Sequence, residues 1–599
     1  MKAIVTQSTA ESALLSEQYT AVKKRIFKQL VEALLFEGVL HADIADNGEE
    51  TEFTIRVQDE SNKPIIYTCW GKRRLTFGRI TLSDRWIIRC ADGITVPVDS
   101  LAQFVSDIEH TIGADHKLSA MFVRELEQTL LNDTLAQHFR VERGESLLAS
   151  SYDDLEGDVM DGHLYHPSYK SRIGFTINDQ YAYGPEFKNN ISPIWIALHK
   201  EGATAVCSSH LDWECWLKAE LGESQWHNFR QKLHQAHVSS QDYIWMPVHP
   251  WQWSNHIIPH YHEQLHNKQI IYLGESLDYY RPQQSIRTLT NYSAPTKAYT
   301  KLSMNIVNTS TGRVLAPHTV MNAPIISDWL SAIVQGDTYL SQELRVSILE
   351  EFGGVTYEPS GKTSAATYGS LGCIWRSSIH TKLVAGEEAI TFTALCARDI
   401  DGKPYVDRWI RQYGLRNWVN GLLESSIRPI IHLLYAHGIA FESHAQNMML
   451  VHKKGWPTRI VLKDFHDGIR FSRTHLADES ICPRLLETPE AHARVNRNSF
   501  IETSDTDNIR DLVLGAFFFI NLGQFAIFLE DHYQFSESEF WQEARRVISD
   551  YQERFTHLQD RFQLFDLFTS HNELEQLAKR RLFADTELRK HKVRNPMSI

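Results

Sequence analysis

Residues 512–529 read LVLGAFFFINLGQFAIFL, eighteen consecutive residues without a charge. A segment of this kind is stable in a lipid bilayer or inside a core large enough to enclose it. Asn521 and Gln524 interrupt the run, and Glu530 and Asp531 follow directly. Side-chain amides are costly in hydrocarbon but can find hydrogen-bond partners inside a protein. The run therefore predicts a buried core helix, with no membrane span. A core of that size is within reach of 599 residues that are 42% hydrophobic, arranged as several domains or as one large composite fold. Residues 1–15 lack a basic segment followed by an apolar one, so no secretory signal is expected. The seven cysteines are odd in number and include no C-x-x-C pair. That pattern predicts neither a disulfide framework nor a zinc site, and it points to a reducing cytoplasm. A net charge of -13 argues against nucleic acid or an anionic membrane as partner. A local basic pocket for a small anion is still compatible with it.

Three regions follow from periodicity. Residues 16–36 read as a helix with Val22, Ile26, Leu30, Val31, Leu34 and Leu35 on one side and Gly38 as its stop. The period then changes to two: Phe53, Ile55 and Val57 alternate with Thr54 and Arg56, and residues 65–70, 75–82 and 86–98 continue strand-like. Residues 1–150 are thus expected to form a helix plus an antiparallel sheet, and residues 151–400 a mixed central region. Residues 401–599 are expected to be mainly helical. Within the last, residues 406–437 predict a helix that Pro429 bends or divides and Gly438 ends. The fold class is α+β.

The polar residues with most chemical content lie in FESHAQNMML (441–450) and RIVLKDFHDGIR (459–470). Glu442, His444, Gln446 and Asn447 crowd a short turn between a helix and an apolar run. Residues 448–451 and 460–462 predict a hairpin, with Asp464 just past its second strand. Carboxylates and amide oxygens suit a hard cation such as Mg²⁺, and His444 can donate to developing negative charge. The bland alternative is a polar turn at a hairpin base. H-x-x-N followed by a strand and Asp also fits a kinase-like phosphotransferase, and the pattern does not separate the two chemistries.

Residues 285–313, SIRTLTNYSAPTKAYTKLSMNIVNTSTGR, open with Ser285, Arg287 and Thr288 and carry Lys301 and Arg313 on either side of a strand-like run. A guanidinium fork matches both phosphate and carboxylate. Taken alone, the segment also fits a solvated strand edge. No Walker A pattern occurs. His163, His166, Lys170 and Arg172 form a compact basic set that fits anion recognition better than a metal, and a structural loop about equally well. In HPWQW (249–253) the tryptophans read as a core corner, while His249 and Gln252 can line a pocket. Arg376 ends LGCIWR as a strand-end charge facing either a cleft or solvent. Lys579, Arg580 and Arg581 read as a solvated helix face from which one cation can reach a tricarboxylate.

In order and spacing, HPSYKSRIGF, HPWQW, SIRT, KLSMNIVNTSTGR, HAQN, KDFHDG and NPM resemble the aerobactin-synthetase-like family, the NRPS-independent siderophore synthetases. The resemblance covers most of the chain, less so its first 150 residues. It implies a three-part, hand-like α+β fold, often homodimeric, with ATP and substrate in one central cleft. It also implies that a carboxylate, most of all citrate, is adenylated and then condensed with an amine, hydroxylamine or alcohol. AMP and pyrophosphate are released. A citrate monoamide, 2-oxoglutarate or a succinyl-hydroxamate are the other acids the family uses. Nucleotide binding would fall on Ser285, Arg287, Thr288, Lys301, Arg313, Arg376, His444, Gln446, Asn447 and Asp464. Mg²⁺ would fall on Glu442 and Asp464, and carboxylate binding on His166, Lys170, Arg172, Arg313, His444, Lys579 and Arg581. Lys301, Arg313 and His444 would carry the catalysis. Leu164 departs from the family's GHPxHP pattern, where a proline stands. The C-terminal part also resembles ferric reductase-like proteins, but a reductase would want a cysteine cluster there, and Cys482 stands alone.

Overall fold

The computed structural model describes residues 7–598 apart from 47, 49, 310, 360–365, 496–499, 585 and 588. The uncharged run lies in one continuous helical stretch, Thr506–Tyr533, and 78% of its most apolar window is buried inside the protein. Val513, Leu514, Phe517, Phe518, Leu522 and Leu529 are fully enclosed, and each such side chain contributes about 1.5–3 kcal/mol by leaving water. The partners come from distant parts of the chain. Phe519 stacks on Phe36 and Phe525 meets Trp418 and Phe540 edge-on. The resulting core runs from Val22 to Met597.

The N-terminal helix is Glu17–Phe36. The antiparallel sheet beside it takes the spatial order Ala42–Asp46, Thr51–Gln58, Pro64–Arg73, Ile88–Ala91, Ile94–Pro97, with Ile80–Leu82 also paired to Pro64–Arg73. Residues 75–79 depart from the expected strand. Phe77 (φ 52°) and Gly78 (φ 73°) turn left-handed there, and the Arg79 amide donates to the Thr76 carbonyl. The expected division at Pro429 is also corrected. The helical stretch breaks at Gly414 (φ 82°), and Pro429 lies inside the unbroken helix Leu415–His437. Buried Ile427, Ile430 and Ile431 hold the helix together through the proline's missing hydrogen bond. Gly438 (φ 78°) ends it as expected.

Two arrangements in the rest of the chain position the site. The first is a six-stranded antiparallel sheet in which Tyr299–Leu302 lies between Thr288–Asn291 and Gly372–Arg376. Its register sets Lys301 opposite Thr288, and Tyr299 opposite Arg376. Alternation then places Thr288, Tyr299, Lys301 and Arg376 on one face. The second is a four-stranded sheet ordered Ser347–Ile348, Trp456–Leu462, Met448–Lys453, Glu388–Thr391. Two of its strands precede residue 400 and two follow it. This shared sheet brings the KDFHDG turn against the face that carries Lys301.

Candidate active site

The expected hairpin is present: Met448–Lys453 pairs with Trp456–Leu462, with Met448 opposite Leu462. The chain leaves its second strand through Lys463 and turns at Asp464, whose backbone is left-handed (φ 66°). A second left-handed residue, Ile286 (φ 69°), sits in the turn after Gln284. For a β-branched residue this conformation is a strained one, of order 1–3 kcal/mol. It is held by Ile286 N–H to Gln283 O (2.8 Å) and Arg287 N–H to Ser285 O (2.9 Å).

These two turns meet in one charge cluster. Asp464 Oδ1 lies 3.3 Å from Lys301 Nζ and accepts a short hydrogen bond from Arg376 Nη1. Arg376 Nη2 donates to Gln283 Oε1 at 3.0 Å. Lys301 Nζ donates to His466 Nε2 at 3.1 Å, and His466 Nδ1 lies 2.7 Å from Glu351 Oε1. A charged ammonium cannot accept, so Nε2 of His466 accepts and Nδ1 carries its proton toward Glu351. Glu351 Oε2 also takes the amides of Phe465 (3.3 Å) and His466 (3.1 Å). Burial pulls Lys301 down to about 8, Asp464 acting against it, and the group stays cationic at neutral pH. Burial alone would raise the Asp464 carboxyl, but Lys301 and then Arg376 overcome it and hold it well below the usual range.

Arg287 and Arg313 are different. Arg287 Nη1 donates to the carbonyls of Arg313 (3.0 Å) and Val314 (2.7 Å), and Arg313 Nη2 to that of Asn308 (2.9 Å). Neither makes a salt bridge with any of the described residues, and the Nε of each is buried without a partner. Burial, then the neighbouring Arg287, lowers Arg313 to about 10. Two adjacent guanidinium groups that make no direct ion pair among the described residues, with Asp464 offsetting their charge only in part, form a site that an anion would complete.

A cavity of about 290 Å³ opens beside them. Of the expected residues, Ser285, Arg313, Glu442, His444, Gln446, His166, Lys170 and Arg172 line it. Arg287, Thr288, Lys301, Arg376, Asn447, Asp464, Lys579 and Arg581 do not. Asn447 shapes the turn, its amide donating to the Glu442 carbonyl at 3.1 Å. Thr288 is buried in the sheet, its hydroxyl without a partner among the described residues. Arg376 is buried rather than exposed to solvent. Burial keeps the cavity's imidazoles neutral, lowering His444 to about 4 and His163 to about 3 and holding His166 well below its ordinary value. His166 Nε2 has no partner among the described residues.

Three expected anion binders, Lys170, Arg172 and Arg581, are already committed to carboxylates. Lys170 Nζ lies 2.6 Å from Asp133 and 3.2 Å from Glu186, and Arg172 grips Glu186 with two bonds of 3.0 and 2.7 Å. The pair clamps the 162–172 loop, its charge matched internally. Arg581 is likewise paired with Glu125. Lys579 makes no ion pair among the described residues, and its backbone amide donates to Glu37 at 2.8 Å. His249 and Gln252 do not line the cavity. The Gln252 amide accepts from Asn305 N–H (2.8 Å) and donates to Ser370 O (3.0 Å), a structural corner.

Sequence reasoning missed Glu351 and His466, and also Asn521 and Gln524, which line the cavity from the long helix. The last two were visible as the only polar interruptions of the apolar run. Glu351 sits in a strand without any local signal.

Glu37 supplies a prediction. Its carboxylate accepts from Tyr165 OH (2.7 Å) and the amides of Ala578 (3.0 Å) and Lys579 (2.8 Å), yet burial raises it from 4.5 to about 7. Between those values the folded state binds the extra proton, so this group makes stability fall as pH rises from about 4.5 to 7. Glu37→Gln is expected to flatten that decline in urea midpoints. Parallel profiles for both proteins would rule the assignment out.

A helix-and-sheet scaffold that sets two part-buried, unpaired arginines beside a cavity of this size is the architecture of an enzyme with room for an anionic ligand. Residues 151–397 match the IucA / IucC family and residues 416–590 the Ferric iron reductase FhuF-like transporter family. The chain belongs to the IucA / IucC family, as its motifs indicated. It is 43% identical over 585 residues to the citryl-spermidine/3,4-dihydroxybenzoyl-citryl-spermidine:spermidine ligase of Bacillus anthracis (98% of this chain, 95% of the relative). It is 40% identical over 581 residues to the 2-[(L-alanin-3-ylcarbamoyl)methyl]-3-(2-aminoethylcarbamoyl)-2-hydroxypropanoate synthase of Staphylococcus aureus (96% and 93%). The crystal structure of the petrobactin biosynthesis protein AsbB from Bacillus anthracis superposes with a TM-score of 0.93 at 42% identity, covering 99% and 97% of the two chains. In the C-terminal half all cysteines are free, and Cys482 has no thiol partner.

Proposed function

We propose that this protein is an ATP-dependent ligase of siderophore biosynthesis that adenylates a carboxyl group of citrate and condenses it with a primary amine. The observation that carries the reading is the Arg287–Arg313 pair, two part-buried cations that make no salt bridge among the described residues, at the edge of a cavity that Ser285, His444 and Gln446 also line. The names of the two relatives above support citrate and amine as the substrate classes.

In the first step a carboxylate oxygen attacks the α-phosphorus of ATP, and the bond to pyrophosphate breaks. Both reactants are anions, and their repulsion is the obstacle. Arg313 and Arg287 offset it, His444 offers a neutral N–H to the developing charge, and Lys301 supports the field from behind the cavity wall. In the second step the amine nitrogen attacks the acyl carbon, AMP leaves, and the nitrogen gives up a proton. Glu442 suits a hard divalent cation, and Asp464 would join it only by exchanging Lys301 and Arg376, which hold it here. Burial raises Glu442 to about 7, and Glu575, Asp467 and Asp464 add to it, a repulsion that a bound cation relieves. Mg²⁺ held there would neutralise phosphate charge. The reading extends to a cytoplasmic homodimer.

The test is product analysis with citrate, citrate derivatives and 2-oxoglutarate, each with ATP and hydroxylamine or spermidine. AMP and pyrophosphate with citrate are expected. ADP as the product would make the protein a phosphotransferase instead. Lys301→Met is expected to slow pyrophosphate release by about 10²-fold, the usual cost of removing one preorganised group that stabilises developing charge. The fold should survive, because Asp464 keeps Arg376. A wild-type rate in this variant would remove Lys301 from the mechanism.

A further inference from the structure

A second constellation lies apart from the cavity just described. Asp337 directly follows the helix Pro317–Gly336. Its Oδ1 is tied by the backbone amides of Tyr339 (2.8 Å) and Leu340 (3.0 Å), which leaves Oδ2 free to turn outward. His432 Nε2 and His437 Nε2 each lie 2.9 Å from that same Oδ2. All three donor atoms fall within 4.8 Å of one another.

We propose that Asp337, His432 and His437 form a binding site for one divalent transition-metal ion of the zinc class. Two imidazoles and one carboxylate suit such ions and are poorly matched to Mg²⁺ or Ca²⁺. The ligand edge of a tetrahedral site with bonds near 2.05 Å is about 3.3 Å. The observed 2.9 Å separations therefore need to open by only about 0.4 Å, within side-chain reach.

Three further features favour a cation at this point. First, His432 Nδ1 lies 2.7 Å from Tyr551 OH. That hydroxyl can accept the Nδ1 proton and so present Nε2 as the ligating atom, the usual outer support of a metal-bound histidine. Second, two helices end here. Pro317–Gly336 stops at Asp337 and Leu415–His437 stops at His437, so the partial negative charges of two C-termini converge. Third, the site is reachable. The His437 side chain keeps 19% exposure, while His432 is buried among Tyr339, Tyr551 and Phe555. Asp337, His437 and Asp478 line a separate cavity of about 280 Å³, which leaves room for an exchangeable fourth ligand. The other donor cluster, Glu351, Asp464 and His466, is already occupied by Lys301 and Arg376.

The place of the site gives it a consequence. The helix ending at Asp337 begins just after Arg313, and the helix ending at His437 leads through Ile439–Phe441 to Glu442 and His444. An ion here joins the far end of the helix that follows Arg313 to the near end of the segment that leads to Glu442 and His444.

The experiment is a titration of the full chain with Co²⁺, with Mg²⁺ in excess. One equivalent should bind, with visible bands of a nitrogen–oxygen site and no sulfur charge transfer. Zn²⁺ should displace it one for one and raise the thermal midpoint. His437→Gln, whose amide can still donate to Asp337, and Asp337→Asn should each weaken binding at least about ten-fold, with folding checked by circular dichroism. No stoichiometric binding by the wild type would overturn the proposal. So would affinity undiminished in both variants, in which case the two histidines merely donate to Asp337. Binding lost in Asp464→Asn but kept in His437→Gln would overturn it equally, by moving the ion to the other cluster.

Discussion

Arg313→Ala is expected to lower pyrophosphate release by about 10³-fold while leaving the urea midpoint no lower than that of the wild type. The two halves of this result have one cause. The Arg313 guanidinium makes a single hydrogen bond, to Asn308 O at 2.9 Å, and pairs with no carboxylate among the described residues. Burial and the adjacent Arg287 both disfavour its charge. Asp464 offsets this only in part, so the folded protein holds the cation at a cost that an anionic reactant relieves further. Removing it relaxes the apo protein and deprives the transition state of its main counter-charge. His444→Ala should lose less, about 10²-fold, because a neutral imidazole offers one hydrogen bond rather than a full charge. Wild-type turnover in both variants would show the site to be wrongly placed. A large drop in the Arg313→Ala midpoint would show that this arginine is structural.

Arg172→Met should behave in the opposite way. The Arg172 guanidinium holds Glu186 with two hydrogen bonds and Gln180 with a third at 2.8 Å, all inside the protein. Burial by itself would raise Glu186; Arg172 and then Lys170 reverse this and bring it to about 2. Deleting the arginine leaves a buried carboxylate short of its main partner, a loss of about 3–5 kcal/mol in stability. Adding Glu186→Gln should recover much of that loss, and a double-mutant cycle in urea measures the coupling. Turnover by the remaining folded enzyme should change little. If Arg172→Met kept its stability but raised the KM for citrate, this arginine would be a substrate ligand after all.

These two arginines also show what could and could not be read from the chain. Both stood out as cations in distinctive motifs, and nothing local to either distinguishes a structural clamp from a vacant anion site. The distinction lies in partners 14 residues away for Arg172 and in their absence for Arg313. The hairpin before Asp464, the first helix and the burial of the long apolar helix were legible, because periodicity and adjacent turn residues specify them. The strained turn at Ile286 was not, since a β-branched residue carries no signal for a left-handed backbone. Glu351 was not either. It acts through His466 from 115 residues away, and only the packed sheet makes them neighbours. Gly414, rather than Pro429, breaks the helical stretch because enclosed isoleucines outweigh one lost backbone bond.

The four-stranded sheet sets how this chain must be made. Ser347–Ile348 has to wait for Trp456–Leu462, and Glu388–Thr391 for Met448–Lys453. The two strands of the 151–397 stretch have no partner in this sheet without the later hairpin, and that hairpin keeps both outer edges open without them. During synthesis the earlier strands emerge with open edges and stay so until the later pair leaves the ribosome, a delay of several seconds at about 5–20 residues per second. Splitting the gene near residue 400 should therefore yield two sticky fragments rather than two half-enzymes, and productive assembly should lean on chaperones that shield those waiting edges.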